Sequence, residues 1–196
     1  TIWQACRSVG IHVPSLCYLK DVSQNASCGV CVVEVKGARS LLRSCITKVT
    51  EGMEISTHSP RAMEARKLNV ELLLANHPQD CLICDRNGNC ELQQLTFTLG
   101  INSKRFVRTR KGYYAKDDSS LSLVRDPEKC ILCGRCVAVC GNMQDVKAID
   151  FSGRGLKTKV SAFLDKGLGN VVCTNCGQCA LVCPTGAITE KSSVSE

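Results

Sequence analysis

The 196-residue chain is poor in aromatic side chains: one Trp, three Tyr and four Phe make up 4% of it. Aromatics supply much of the apolar area of an ordinary core. Their scarcity argues against one large aromatic-packed domain and for small units stabilised in another way. No stretch approaches the roughly 18 consecutive apolar residues of a membrane helix, so no membrane segment is expected. No basic, apolar, small-residue signal pattern opens the chain. The first residues, from Thr1, already read as a helix, and a preceding strand or hairpin is expected to be missing from this numbering. Dinucleotide fingerprints are absent too: Gly153-Arg154-Gly155 and Gly167-Leu168-Gly169 are isolated pairs without the rest of the motif. There are only three histidines, and no Ser/His/Asp or Cys/His nucleophile arrangement is evident, so no catalytic residue is assigned.

Cysteine is abundant instead, with sixteen residues. Two explanations compete: a disulfide-rich secreted scaffold, or a metal protein of a reducing compartment. Spacing decides between them, because fifteen of the cysteines and one histidine divide into four complete four-ligand sets.

Cys130, Cys133, Cys136 and Cys140 read C-x2-C-x2-C-x3-C, and Cys173, Cys176, Cys179 and Cys183 repeat the pattern before Pro184. This is the bacterial ferredoxin run, whose fourth cysteine ligates the other cluster. One 4Fe–4S cluster is therefore expected on Cys130, Cys133, Cys136 and Cys183, and another on Cys173, Cys176, Cys179 and Cys140. Gly134 and Gly177 let backbone amides approach the sulfurs. The whole stretch is an internal duplication, CILCGRCVAVC returning as CTNCGQCALVC.

Cys17, Cys28, Cys31 and Cys45 share the central C-x2-C of the plant-type pattern, with a longer first gap. A 2Fe–2S cluster is expected there, with a zinc site as the alternative. His77, Cys81, Cys84 and Cys90 read H-x3-C-x2-C-x5-C. A 4Fe–4S cluster is expected, zinc again being the alternative, since one histidine and three cysteines also form a zinc set. Neutral imidazole in place of a thiolate removes one negative charge and should raise the reduction potential. Cys6 is left over and reads as a buried small hydrophobe.

The formal net charge is +7 with every cysteine counted as neutral. Four oxidised clusters on these ligand sets would contribute about seven negative charges, so the basic surplus reads as compensation and nucleic-acid binding is not expected.

Between the cysteines, the pattern predicts a helix over residues 1–10 with Ile2, Ala5, Cys6 and Val9 on one face, then loop to residue 31. A strand at 30–37 and two short strands within 41–57 suggest a mixed sheet crossed by that helix. Ser59 and Pro60 open a helix running to residue 76, with Met63, Leu68, Leu72 and Ala75 near one face. Pro78 pushes His77 to extended geometry, so the imidazole should project from a loop. A short helix follows over 90–99, with Leu92, Leu95 and Leu99 inward. The basic run 104–111 reads as a solvated strand or loop face, with docking to an acidic partner as the alternative.

On the stretches SLCY (15–18), SCGVC (27–31), NHPQDCLICDRNGNCELQ (76–93), RDPEKCILCGRCVAVC (125–140) and NVVCTNCGQCALVCPTGAI (170–188), the chain resembles the N-terminal iron–sulfur region of FeFe hydrogenases, above all the NAD(P)-linked and electron-bifurcating types. The relay of NAD-dependent formate dehydrogenases and of the complex I large iron–sulfur subunit is similar and stays as the alternative; the complex I subunit usually lacks the doubled run, which argues against it here. The resemblance implies an α+β, modular fold. Residues 1–57 would form a plant-type 2Fe–2S ferredoxin-like (β-grasp) domain, N-terminally incomplete. Residues 58–112 would form a small helical 4Fe–4S module, 113–125 a linker, 126–190 a bacterial-type double 4Fe–4S ferredoxin domain, and 191–196 a cut linker. It further implies a following domain with an H-cluster, two electron entries converging on the ferredoxin pair, and a cytoplasmic hetero-oligomer. Its partners would be a flavoprotein NAD(P)H-oxidising subunit and a small 2Fe–2S subunit, or ferredoxin.

Overall fold

The computed structural model describes residues 1–103, 105–108 and 114–191. Lys104, the 109–111 part of the basic run and nearly all of the expected terminal linker (192–196) lie outside the described residues.

Helix α1 (Ile2–Ser8) starts at a capping box: Thr1 accepts from the Gln4 backbone while the Gln4 side chain reaches back. It buries Ile2 and Cys6 against the first sheet. The helix ends two residues earlier than expected, which leaves Val9 beyond it, and Ala5, though helical, faces solvent. Strands β1 (Val32–Val35), β2 (Leu42–Arg43) and β3 (Ile55–Ser56) form a sheet in the order β2-β1-β3. Both pairings are antiparallel, with Val32 opposite Arg43 and Glu34 opposite Ser56, so the sheet is not mixed.

Helix α2 (Pro60–Asn76) is capped by the Ser59 hydroxyl, which accepts from Ala62 N–H, with Pro60 in its first turn. Its buried row is Ala62, Arg66, Val70 and Leu74, joined by Glu71 and Ala75. Leu68 and Leu72, expected inward, are 38% and 47% exposed. A pattern read from apolar residues alone misplaced this face because a buried arginine occupies its centre. Helix α3 (Glu91–Thr98) buries Leu92, with Leu95 and Leu99 packed beside it.

The last unit is a folded duplication. Strand β4 (Leu123–Arg125) pairs antiparallel with β7 (Ile188–Glu190), and β5 (Ile149–Ser152) with β6 (Lys159–Ala162). Short helices α4 (Arg135–Ala138) and α5 (Gln178–Leu181) each follow a left-handed glycine, Gly134 (φ 78°) and Gly177 (φ 73°). Equivalent residues Leu132 and Asn175 are also left-handed, at φ 57° and 53°, so the repeat copies backbone conformation as well as sequence. The unit reaches further back than residue 126: β4 and an Asp117–Arg125 bridge take up part of the expected linker.

The three units are not independent. A shared apolar cluster contains Leu16, Cys17 and Cys28 of the first, Val70, Leu74 and Leu92 of the second, and Cys133 of the third. Part of the basic run contributes to this union: Arg108 pairs with Glu128 of the last unit at 2.6 Å, while Arg105 pairs with Glu71 at 2.6 Å within the second. Arg108 is largely withdrawn from solvent, whereas Arg105 remains 60% exposed, as a solvated face requires.

Candidate iron–sulfur centres

All sixteen cysteines are free thiols. Four groups of them, one including His77, occupy four separate places in the fold.

Cys17, Cys28, Cys31 and Cys45 come from the loop before β1 and the segment after β2, and all four are buried. They stand as two pairs. The Sγ atoms of Cys31 and Cys45 are 3.3 Å apart, and Cys17 is hydrogen-bonded by the Cys28 thiol. Within each pair one thiol donates to the other, so Cys17 and Cys31 are pushed down while Cys28 and Cys45 are pushed well up. Amides and hydroxyls assist: Ser27 bonds Cys17, and Ser44 bonds Cys31. Four thiolates crowded into one buried pocket call for a cation among them.

His77 is the C-cap of α2 with extended φ −93° and ψ 135°, as the following proline requires. Cys81 lies in a single 3-10 turn, and Cys90 is the N-cap of α3. His77, Cys81, Cys84 and Cys90 line one pocket, together with Arg86 and Gly186. Burial pushes the Cys90 thiol up. Gly186, from the last unit, closes the pocket: a Cβ there would come to 3.0 Å from Cys84 Sγ.

In the last unit, one apolar cavity is lined by Cys130, Cys133, Cys136 and Cys183, and a second by Cys140, Cys173, Cys176 and Cys179. The fourth cysteine of each run thus faces the other run's cavity. Burial pushes Cys133 and Cys179 up to about 12. The backbone N–H of Leu132, made available by its left-handed conformation, donates to Cys130 Sγ at 3.4 Å. Among the described residues no three His, Cys, Asp or Glu side chains converge as ligands of a single metal ion would. The leftover Cys6 is buried in the α1 core, in the same apolar cluster as Cys31 and Cys45 of the first group.

Several residues that the cysteine spacing does not flag hold these groups together. Asn25 Nδ2 donates to Cys133 C=O at 3.4 Å. Arg86 Nη2 donates to Cys183 C=O at 3.3 Å, and Glu91 N–H to Pro184 C=O at 3.0 Å. Arg135 touches all three units: Nη1 meets Glu91 Oε1 at 2.6 Å, and Nη2 meets Ser15 C=O at 3.0 Å. The only sequence signal for them is position, since Arg86, Glu91 and Arg135 sit between or beside ligands.

Three family models match the chain. Residues 1–60 match a 2Fe-2S iron-sulfur cluster binding domain, 66–105 the NADH-ubiquinone oxidoreductase-G iron-sulfur binding region, and 129–187 a 4Fe-4S dicluster domain. The chain is 43% identical, over its full length, to 34% of the NADP-reducing hydrogenase subunit HndD of Solidesulfovibrio fructosivorans. It is 36% identical, over 97% of its length, to 27% of the NADH-ubiquinone oxidoreductase 75 kDa subunit of Reclinomonas americana. A solved NAD+-reducing [NiFe]-hydrogenase structure superposes with a TM-score of 0.90, 28% identity, 100% of this chain and 83% of that one. The chain spans about a third or less of the curated relatives it matches. It is similar throughout to the N-terminal iron–sulfur region of the hydrogenase subunit and to its complex I homologues.

Proposed function

We propose that this chain is the iron–sulfur electron relay of an NAD(P)-linked FeFe hydrogenase, carrying one 2Fe–2S and three 4Fe–4S clusters. The observation that carries the reading is the grouping of fifteen cysteines and His77 into four adjoining sets inside one fold. Two thiol pairs at Cys17/Cys28 and Cys31/Cys45 suit two irons with two protein ligands each. Rings of ligands around a space, as at the other three sets, suit a cubane better than a lone zinc ion.

When bound, such clusters accept and release single electrons. The chain's own residues supply the rest. His77 offers a neutral ligand in place of a thiolate, and Leu132 N–H stabilises negative charge at Cys130. The shared apolar cluster packs Cys17 and Cys28 of the first set, Cys90 of the second and Cys133 of the third into one buried region. Asn25 and Glu91 bring the first and second sets against the one at Cys130, Cys133, Cys136 and Cys183. This supports two electron entries meeting at the ferredoxin pair.

The FeFe centre, in an H-cluster domain, rests on the resemblance of the motifs; the similar solved structure belongs to a [NiFe] enzyme by name. A complex I-like subunit is the second reading. The doubled run was expected to set it apart, but the likeness to a 75 kDa NADH-ubiquinone oxidoreductase subunit over 97% of the chain narrows that distinction. Partners would be a flavoprotein NAD(P)H-oxidising subunit and a small 2Fe–2S subunit, or ferredoxin, in a cytoplasmic hetero-oligomer. Among the described residues no helix is long and apolar enough to cross a membrane.

The test is an anaerobic metal inventory and hydrogen-uptake assay on the intact gene product. Hydrogen uptake with about six iron atoms beyond the relay's own fits this reading. Molybdenum or tungsten at about one per chain would replace it with a formate dehydrogenase. NAD(P)H oxidation without hydrogen turnover would favour the complex I-like reading.

A further inference from the structure

Arg66 stands at the centre of α2's buried face, 2% exposed. Its Nε donates to Val30 C=O at 2.9 Å, and Nη2 donates to Val32 C=O and Thr57 C=O, each at 3.1 Å. Nη1 lies 3.3 Å from Met63 Sδ. Every one of these partners is neutral. Among the described residues no carboxylate forms an ion pair with Arg66. On the groove side, Glu91 is engaged by Arg135, while His58 bonds the Thr57 hydroxyl and His12 lines the rim.

A buried cation with no counter-charge is costly, so one should be close by. Val30 and Val32 flank Cys31, so the guanidinium is clamped to the backbone on either side of a thiol of the first set. Burial pushes the Arg66 pKa down, and negative charge at Cys31 opposes this.

We infer that Arg66 is the built-in counter-cation of the Cys17, Cys28, Cys31 and Cys45 site, a positioning residue that favours the reduced state of the cluster held there. The inference rests on the 2Fe–2S reading of that site. One-electron reduction adds one negative charge to the site, and a fixed buried cation stabilises that charge more than it stabilises the oxidised state. The chain thereby sets a higher potential at this site than its four thiolates alone would give.

The experiment is an EPR-monitored redox titration of the anaerobically purified holoprotein and four variants. Arg66→Gln should move the 2Fe–2S midpoint to lower potential, while Arg66→Lys, which retains the charge, should stay near wild type. Met63→Glu should lower the midpoint with Arg66 and its three carbonyl bonds intact, by giving the guanidinium a competing carboxylate. Met63→Gln should not. The Met63 pair keeps the inference open to refutation even if the Arg66 variants fail to fold, and the contrast between Arg66→Gln and Arg66→Lys isolates the guanidinium's own charge. Equal midpoints for Met63→Glu and Met63→Gln would overturn the inference, as would equal shifts for Arg66→Gln and Arg66→Lys. Absence of any 2Fe–2S signal from wild type would instead overturn the reading of the site.

Discussion

Truncating Arg135 probes the union of the three units most sharply. Arg135 is 7% exposed and its partner Glu91 45% exposed, with contacts at 2.6 and 3.1 Å; a third bond reaches Ser15 C=O at 3.0 Å. Breaking a fully buried ion pair costs about 3–5 kcal/mol. Here Glu91 can return to water, and the loss to Arg135→Ala is correspondingly smaller, about 2 kcal/mol. Because 1.4 kcal/mol is a factor of ten, opening of the junction should become up to about 30-fold more frequent. Cluster loss makes unfolding irreversible, so the suitable readout is a rate. Anaerobic holoprotein would be diluted into mild denaturant with a chromogenic ferrous chelator, and iron release followed by absorbance. Arg135→Ala and Glu91→Ala should each accelerate release, and the double variant should add little to either. Release from Arg135→Ala within about twofold of wild type, or full additivity in the cycle, would refute the reasoning.

Other outcomes follow from the same geometry. His77→Cys adds a negative charge to its site and should lower the potential of that 4Fe–4S cluster; a titration showing no change, or a rise, rejects the imidazole's role. Gly134→Ala places a Cβ 2.2 Å from Asn25 Nδ2 in a left-handed residue, whereas Gly177→Ala meets only the flexible end of Glu190 at 3.2 Å. Both should cost about 1–2 kcal/mol of strain, but Gly134→Ala should additionally lose about 1 kcal/mol from the Asn25–Cys133 bond; iron release no faster than in Gly177→Ala would contradict this. Cys45→Ala should lose about two irons per chain, while Cys6→Ala keeps the full complement and only weakens the α1 core; iron analysis of the two variants checks the pair.

The ligand groups were legible because thiolates at short fixed spacings serve few other purposes, and duplication doubled that signal in the last unit. His77 could be placed from Pro78 alone, and the α2 start from Ser59 and Pro60. What could not be read is what depends on long-range contact. The buried face of α2 turns on Arg66, two of whose acceptors, Val30 and Val32, lie more than thirty residues away, so a reading that sought apolar residues chose Leu68 and Leu72 instead. Expected boundaries at 113–125 failed for the same reason: β4 is defined by its partner β7, at the far end of the unit. Arg108 looked solvated because nothing local to it is acidic; Glu128 is brought to it only by folding.

The central claim is that these sixteen ligands hold iron–sulfur clusters in four places. The most direct measurement is iron, zinc and acid-labile sulfide per chain on anaerobically purified protein. The account predicts about 14 iron atoms, as many labile sulfides and negligible zinc. About four zinc atoms with little iron or sulfide would contradict it.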